Sequence, residues 1–259
     1  MNSVIIAGAG VGKRTGLGFN KILYKVAGVP ILVRTVLKFA ALEAISEIIV
    51  VVGADDLREV ELMLKAVPGL KNYKLVEGGK ERQDSVRNGL AAVNPFSEIV
   101  LIHDAARPFV SESVIMETIE AAKVHGAAIA AVPAKNTVKV TDTAGFITAT
   151  PERATIYEAQ TPQTFQLGVI LAAYEKARQD GVIGTDDAML VERLGEKVKI
   201  VESEYSNIKI TTPEDLGIAE FFAIENPRER LQAGATKAID TVFDLADKIK
   251  NKITGKPEF

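Results

Sequence analysis

The chain has 259 residues, 31 basic and 34 acidic, for a net charge of −3; 47% are hydrophobic and 25% charged, with no Cys and two His. That mix excludes a disordered polypeptide and suits one large or two small domains at roughly 150 residues each. It also excludes disulfides, a thiolate nucleophile, Cys-ligated zinc or iron–sulfur clusters and a three-His metal site, and it gives no global electrostatic drive toward nucleic acid.

Strand and helix patterns alternate along the chain. Val4-Ile5-Ile6-Ala7 is a short apolar run that ends in glycines, as a buried strand does. Helical spacing follows over 30–42, with Pro30 at the expected first helical position. Ile48 to Val52 is a second buried strand, closed by Gly53. The pattern then predicts a helix over 55–66, a strand at Lys74 to Val76, a helix over 82–93, a strand at Ile99 to Ile102, a helix over 111–124 and a strand at Ala128 to Val132. Such alternation predicts an α/β fold with a mostly parallel sheet and helices on both faces. Ligands of such sheets bind at the carboxyl ends of the strands. Residues 8–21, 78–85, 103–108 and 133–139 all lie there.

The alternation breaks after residue 134. Lys135 to Thr150 reads as an antiparallel hairpin around Asp142 and Gly145, a protruding arm over about 134–157. A dimer contact and a lid are both compatible with it. Helices over 168–179 and 185–194, a strand at Val198 to Val201 and a helix from Pro213 to about Ala223 complete a domain of residues 1–225. Residues 226–259 read as a helical extension, with Ile239, Val242, Phe243, Ala246, Ile249 and Ile253 on one face. The longest apolar run is far short of the roughly 18 residues of a membrane helix. The first 20 residues lack a signal-peptide pattern. The expected location is the cytoplasm, with no membrane partner.

Gly8-Ala9-Gly10-Val11-Gly12-Lys13-Arg14-Thr15 fails both phosphate-loop fingerprints it invites. A Walker A loop would need Gly at Ala7 and a hydroxyl at Arg14. G-x-G-x-x-G would need Gly at Lys13 or at Thr15. What remains is a glycine turn followed by Lys13, Arg14 and Lys21. That arrangement suits a polyphosphate, and it equally suits a plain tight turn with solvated lysines.

Four further segments carry polar chemistry. Gly78-Gly79-Lys80-Glu81-Arg82-Gln83-Asp84-Ser85 turns into a helix. His103-Asp104-Ala105-Ala106-Arg107-Pro108 follows a buried strand. Gln160-Thr161-Pro162-Gln163 reads as a polar turn. Asn207-Ile208-Lys209-Ile210-Thr211-Thr212-Pro213-Glu214-Asp215 places a lysine before a capped helix. Thr185-Asp186-Asp187 reads as a helix cap, with a metal site as the alternative.

Together, at these spacings, HDAARP, TPQ and NIKITTPEDL make residues 3–224 resemble the 2-C-methyl-D-erythritol 4-phosphate cytidylyltransferases. The ribitol 5-phosphate cytidylyltransferases are close relatives. Ala106 and the Thr137-Val138-Lys139 run favour the erythritol group. The resemblance implies a Rossmann-like nucleotidyltransferase. It would move CMP from CTP onto a polyol phosphate with Mg²⁺ or another divalent cation, held mainly by the CTP phosphates and without a protein metal site. It implies catalytic roles for Arg14, Lys21 and Lys209, and nucleotide contacts at Gly8, Ala9, Gly10, Gly12, Gly79, Ser85, Asp104 and Ala105. Substrate contacts would come from Asp104, Arg107, Thr137, Arg153, Thr161 and Lys209. Thr137 and Arg153 would reach the active site of a partner subunit, which makes a homodimer through the arm. His103 and Arg107 are expected to organise their loop.

The sequence departs from the family's usual residues at Gly8, Thr15, Asn20 and Lys80. Asn20 stands where a Pro would fix the loop, so the loop's rigidity is in question. Lys80 puts a side-chain role in base recognition in question. A non-catalytic nucleotide-binding scaffold, acting through the 226–253 helix, is the alternative of another class.

Overall fold

The structure, a computed structural model, describes residues 1–10 and 19–225. Gly12, Lys13, Arg14 and Thr15, and the helical extension read over 226–259, lie outside the described residues.

The chain opens with β1 (Asn2–Ala7), whose Val4, Ile5 and Ile6 are fully buried. A 3-10 turn at Lys21–Leu23 follows, capped by Asn20. A small hairpin, β2 (Lys25–Val26) with β3 (Val29–Pro30), leads into α1 (Ile31–Ala40). Pro30 therefore ends a strand and precedes the first helical turn, one residue earlier than its expected place. Next come β4 (Glu47–Val52), α2 (Leu57–Lys65), β5 (Tyr73–Glu77), α3 (Arg82–Ala92), β6 (Ile99–Asp104), α4 (Glu112–His125) and β7 (Ala127–Pro133). The arm carries β8 (Val140–Thr141) paired antiparallel with β9 (Ile147–Ala149). The chain returns through β10 (Tyr157–Gln166), α5 (Leu167–Asp180), α6 (Asp187–Glu192), β11 (Lys199–Glu202) and α7 (Pro213–Glu225).

The main sheet has seven strands in the order β11-β7-β10-β6-β1-β4-β5. All neighbours are parallel except β10, which runs antiparallel to both β6 and β7. Alternate residues of the central strands feed two apolar layers. Val4, Ile6, Val50 and Leu101 pack with α1, α2 and α4. Ile5, Ile49, Val51 and Ile102 pack with α3, α5 and α6. Burial on both faces explains why these strands read as unbroken apolar runs.

Helix ends follow their local chemistry. Ser111 caps α4, and Gly126, with φ at +86°, ends it. Glu81 and Asp84 form a reciprocal capping box on α3. Asp186 caps α6 by accepting from the Met189 N–H. That is the cap role read for the Thr185-Asp186-Asp187 cluster.

One reading needs correction. Gln160-Thr161-Pro162-Gln163 is not a turn but the middle of β10, with a cis Thr161–Pro162 bond and a register shift between Ala159 and Gln163. Polar residues and a proline inside a strand imitate a turn in sequence. Here the irregularity absorbs them, and Gln160, Thr161 and Gln163 are buried with partners on other elements.

Candidate active site

Two glycine loops hang from the carboxyl end of β4. The Gly8 N–H donates to the Val51 carbonyl at 2.7 Å, and the Gly78 N–H to the Val52 carbonyl at 2.8 Å. The loops nearly touch: a Cβ at Gly78 would stand 2.4 Å from the Ala9 Cβ. No side chain fits there, so glycine is required by close approach. Gly79 is pinned next, because its N–H donates to the Ser85 hydroxyl at 3.0 Å, which in turn donates to the Glu81 carbonyl at 3.0 Å.

These loops and the end of β6 enclose a cleft of about 340 Å³. It is lined by Ala7 to Gly10, Lys21 and Ile22, by Gly79 to Arg82 and Ser85, and by Asp104, Ala106, Lys209 and Thr211. Of the residues expected to contact nucleotide, the structure brings Gly8, Ala9, Gly10, Gly79, Ser85 and Asp104 together. Ala105 stands behind the wall, fully buried, with its N–H on the Ala7 carbonyl and its carbonyl accepting from Thr35.

Lys21 starts the 3-10 turn and faces this cleft. Asn20 holds that turn in place. Its side chain accepts from the Ile22 N–H and donates to the Gly8 carbonyl at 3.0 Å and to Asp56 at 2.7 Å. The anchoring that a proline would supply through φ is supplied here by side-chain hydrogen bonds.

Asp104 is the electrostatic centre. The Lys209 ammonium lies 2.7 Å from its Oδ2, the Arg82 Nε 3.5 Å from its Oδ1 and the Arg107 Nε 3.7 Å from its Oδ2. Burial alone would raise the carboxyl pKa. Lys209, Arg82 and Arg107 outweigh burial and hold it well below the usual carboxylate range. Arg82 sits between this carboxylate and Asp187, 2.7 Å away, and stays fully protonated despite its burial. Lys209, Arg82 and Arg107 against the Asp104 and Asp187 carboxylates leave this cluster with one net positive charge, which favours an anion in the cleft.

Arg107 and Thr161 stand behind that wall. Arg107 donates to the Asn207 carbonyl at 2.7 Å, and Asn207 donates back to Gln160 and to the Thr161 carbonyl, so the loop before Lys209 is clamped. The Thr161 hydroxyl accepts from the Asp104 N–H at 3.1 Å and meets His103 Nδ1 at 3.1 Å, while His103 Nε2 meets the Arg107 carbonyl at 3.0 Å. A carbonyl only accepts, so Nε2 carries the proton and neutral His103 accepts at Nδ1. This is the loop-organising role expected for His103 and Arg107. Thr137 and Arg153 are exposed on the arm side; neither lines the cleft of its own chain, and Arg153 donates to the Lys135 carbonyl.

Burial pushes the His103 pKa down from 6.5 to about 4. The sign of the linkage follows: between these values the unfolded chain binds a proton that the folded chain does not. The contribution is whole above pH 6.5 and is lost as pH falls toward 4, a loss of about 3 kcal/mol. We expect denaturation midpoints in urea to fall across that window and the His103 ring resonance to titrate near 4. Titration of His103 near 6.5 would contradict this.

Among the described residues no group of three or more His, Asp or Glu gathers as a metal site. Sequence reasoning missed Arg82, Ile22 and Thr211 as parts of the cleft. Arg82 carried a usable signal, since it lies in the glycine segment beside Gly79 and Ser85.

The family model described as IspD, 2-C-methyl-D-erythritol 4-phosphate cytidylyltransferase, matches residues 2–225. The chain belongs to this family. A relative from Caldanaerobacter subterraneus subsp. tengcongensis, named 2-C-methyl-D-erythritol 4-phosphate cytidylyltransferase, is 46% identical over 221 residues, 85% of this chain and 97% of the relative. One from Alkaliphilus oremlandii with the same name is 47% identical over 222 residues, 84% of this chain and 93% of the relative. The crystal structure of 4-diphosphocytidyl-2C-methyl-D-erythritol synthase from Anaerococcus prevotii superposes with a TM-score of 0.79 at 37% identity, covering 87% of this chain and 99% of that one. Family membership makes the chain a nucleotidyltransferase and favours the erythritol over the ribitol group. No helix among the described residues is long and apolar enough to cross a membrane.

Proposed function

We propose that the chain transfers CMP from CTP to 2-C-methyl-D-erythritol 4-phosphate, releasing pyrophosphate and giving 4-diphosphocytidyl-2-C-methyl-D-erythritol, in the non-mevalonate route to isoprenoids. The observation that carries this reading is the Lys209–Asp104 pair sharing with Lys21 a cleft walled by two glycine loops, in a chain of this family. Cytosine would lie against Gly79 and Ser85, where backbone and hydroxyl groups can read its edge. The triphosphate would follow Gly8 to Gly10 toward Lys21, with Arg14 on the same segment. Asp104 would meet substrate hydroxyls, and Lys209 the two phosphates that react.

An oxygen of the substrate phosphate attacks the α-phosphorus of CTP. The new P–O bond forms as the bond to the β-phosphate oxygen breaks, and its electron pair leaves with pyrophosphate. A phosphate is already ionised at neutral pH, so no general base is needed. What the protein supplies is position and positive charge, from Lys21, Lys209 and Arg82. A divalent cation would be held chiefly by the triphosphate, with Asp104 and Glu81 the carboxylates that line the cleft among the described residues. When bound, Mg²⁺ would neutralise phosphate charge.

The arm supports a homodimer. Val140, Phe146 and Ile147 on it are exposed, apolar cover that a second copy would supply. Thr137 and Arg153 would then serve the partner's cleft. We expect Arg153→Ala and Lys21→Ala to be inactive alone and, after mixing and subunit exchange, to regain about a quarter of wild-type turnover, because half the dimers then hold one intact site of two. No recovery in a preparation shown to exchange subunits would count against shared sites.

A further inference from the structure

Asp187 has no part in the transfer as described, yet it is bound to it. It is the first residue of α6, 1% exposed, and does not line the cleft. Its backbone is fixed without help from its side chain, because the Asp187 N–H and the Ala188 N–H both donate to Gln163 Oε1 at 3.0 Å. Its carboxylate is therefore available for another task. Oδ1 accepts from the buried Tyr174 hydroxyl, and Oδ2 accepts from Arg82 Nη2 at 2.7 Å. On its far side Arg82 reaches Asp104, the carboxylate that holds Lys209.

The sequence of contacts is Tyr174, Asp187, Arg82, Asp104, Lys209. It alternates donor and acceptor from the interior of α5 to the cleft. Arg82 holds Asp104 at 3.5 Å and Asp187 at 2.7 Å, so its closer partner is the remote one. We propose that Asp187, oriented by Tyr174, is a positioning residue for the transfer step. By restraining Arg82 it leaves Asp104 Oδ2 to Lys209 and fixes the ammonium where the reacting phosphates meet. Without the Asp187 charge, Asp104 is the remaining carboxylate beside Arg82. The guanidinium then moves toward it and competes with Lys209. Misplacing a transition-state cation costs turnover more than nucleotide binding.

This inference rests on the roles given to Asp104 and Lys209 above. The test is a double-mutant cycle on kcat at saturating CTP and 2-C-methyl-D-erythritol 4-phosphate. Asp187→Asn keeps the shape and the backbone bonds to Gln163, and is expected to lower kcat about 10- to 100-fold while the KM for CTP changes less than about 3-fold. In an Arg82→Gln background the same change is expected to cost less than about 2-fold, because the residue it acts through is gone. A merely structural role would lower thermal stability in both backgrounds without that non-additivity. Tyr174→Phe removes one hydroxyl, is expected to lower kcat about 2- to 5-fold only when Arg82 is present, and serves if Asp187→Asn does not fold. Overturning results are D187N or, failing it, Y174F with wild-type kcat, or losses that multiply on the Arg82→Gln background. Wild-type protein that releases no pyrophosphate would overturn the transfer reading itself; wild-type turnover beside an unaffected variant overturns this inference alone.

Discussion

Lys209→Gln is expected to lower turnover by about two to three orders of magnitude, the cost of removing one donor to developing charge in a preorganised site. The reason lies in how firmly its backbone is held. On one side Asn207 is clamped by Arg107, Gln160 and Thr161. On the other, the Ile210 N–H donates to the Ala106 carbonyl, and the Thr211 and Thr212 N–H groups both donate to Asp215. The ammonium therefore stands at the cleft at little entropic cost during the reaction. Glutamine nearly keeps the reach and removes the charge. The fold should survive, because Asp104 keeps Arg82 and Arg107 as partners. Its carboxyl pKa should rise, since Lys209 is the strongest of the cations holding it down. Steady-state kinetics beside a thermal melt checks this; turnover within about tenfold of wild type would contradict the role.

Lys21→Ala is expected to produce a loss of similar size, again about 10²- to 10³-fold, from a second cation that lines the same cleft. The 3-10 turn that carries Lys21 is fixed by Asn20 and by buried Ile22 and Leu23, none of which depends on the lysine side chain. The variant should therefore fold normally. Lys21→Arg should restore only part of the rate, because a planar guanidinium does not place its donors where a compact ammonium does. A Lys21→Ala protein with near-normal kcat would remove this residue from the transfer step.

Most of the fold was legible because its strands are buried on both faces. Val4 to Ile6, Ile48 to Val52 and Ile99 to Ile102 are apolar runs that admit few other readings. β10 was not, because its centre is Gln-Thr-Pro-Gln, polar residues and a proline that carry turn chemistry and lack the apolar run of its neighbours. The cleft was legible where chemistry is local: the glycine turns, Asp104 at a strand end, Lys209 before a capped helix. Where it depends on distant partners it was not. Nothing in Gly-Gly-Lys-Glu-Arg says that Arg82 spans Asp104 and Asp187. Asn20 read as a loss of rigidity because a single sequence does not show that Gly8 and Asp56 are within reach of its amide. The apolar stripe from Ile239 to Ile253 is a feature of sequence alone, beyond the described residues.

The most direct test of the central claim is pyrophosphate release from CTP and Mg²⁺ with 2-C-methyl-D-erythritol 4-phosphate, run in parallel with ribitol 5-phosphate. The account predicts release with the branched erythritol phosphate and far slower release with ribitol 5-phosphate. Release only with ribitol 5-phosphate, or with neither, would contradict it.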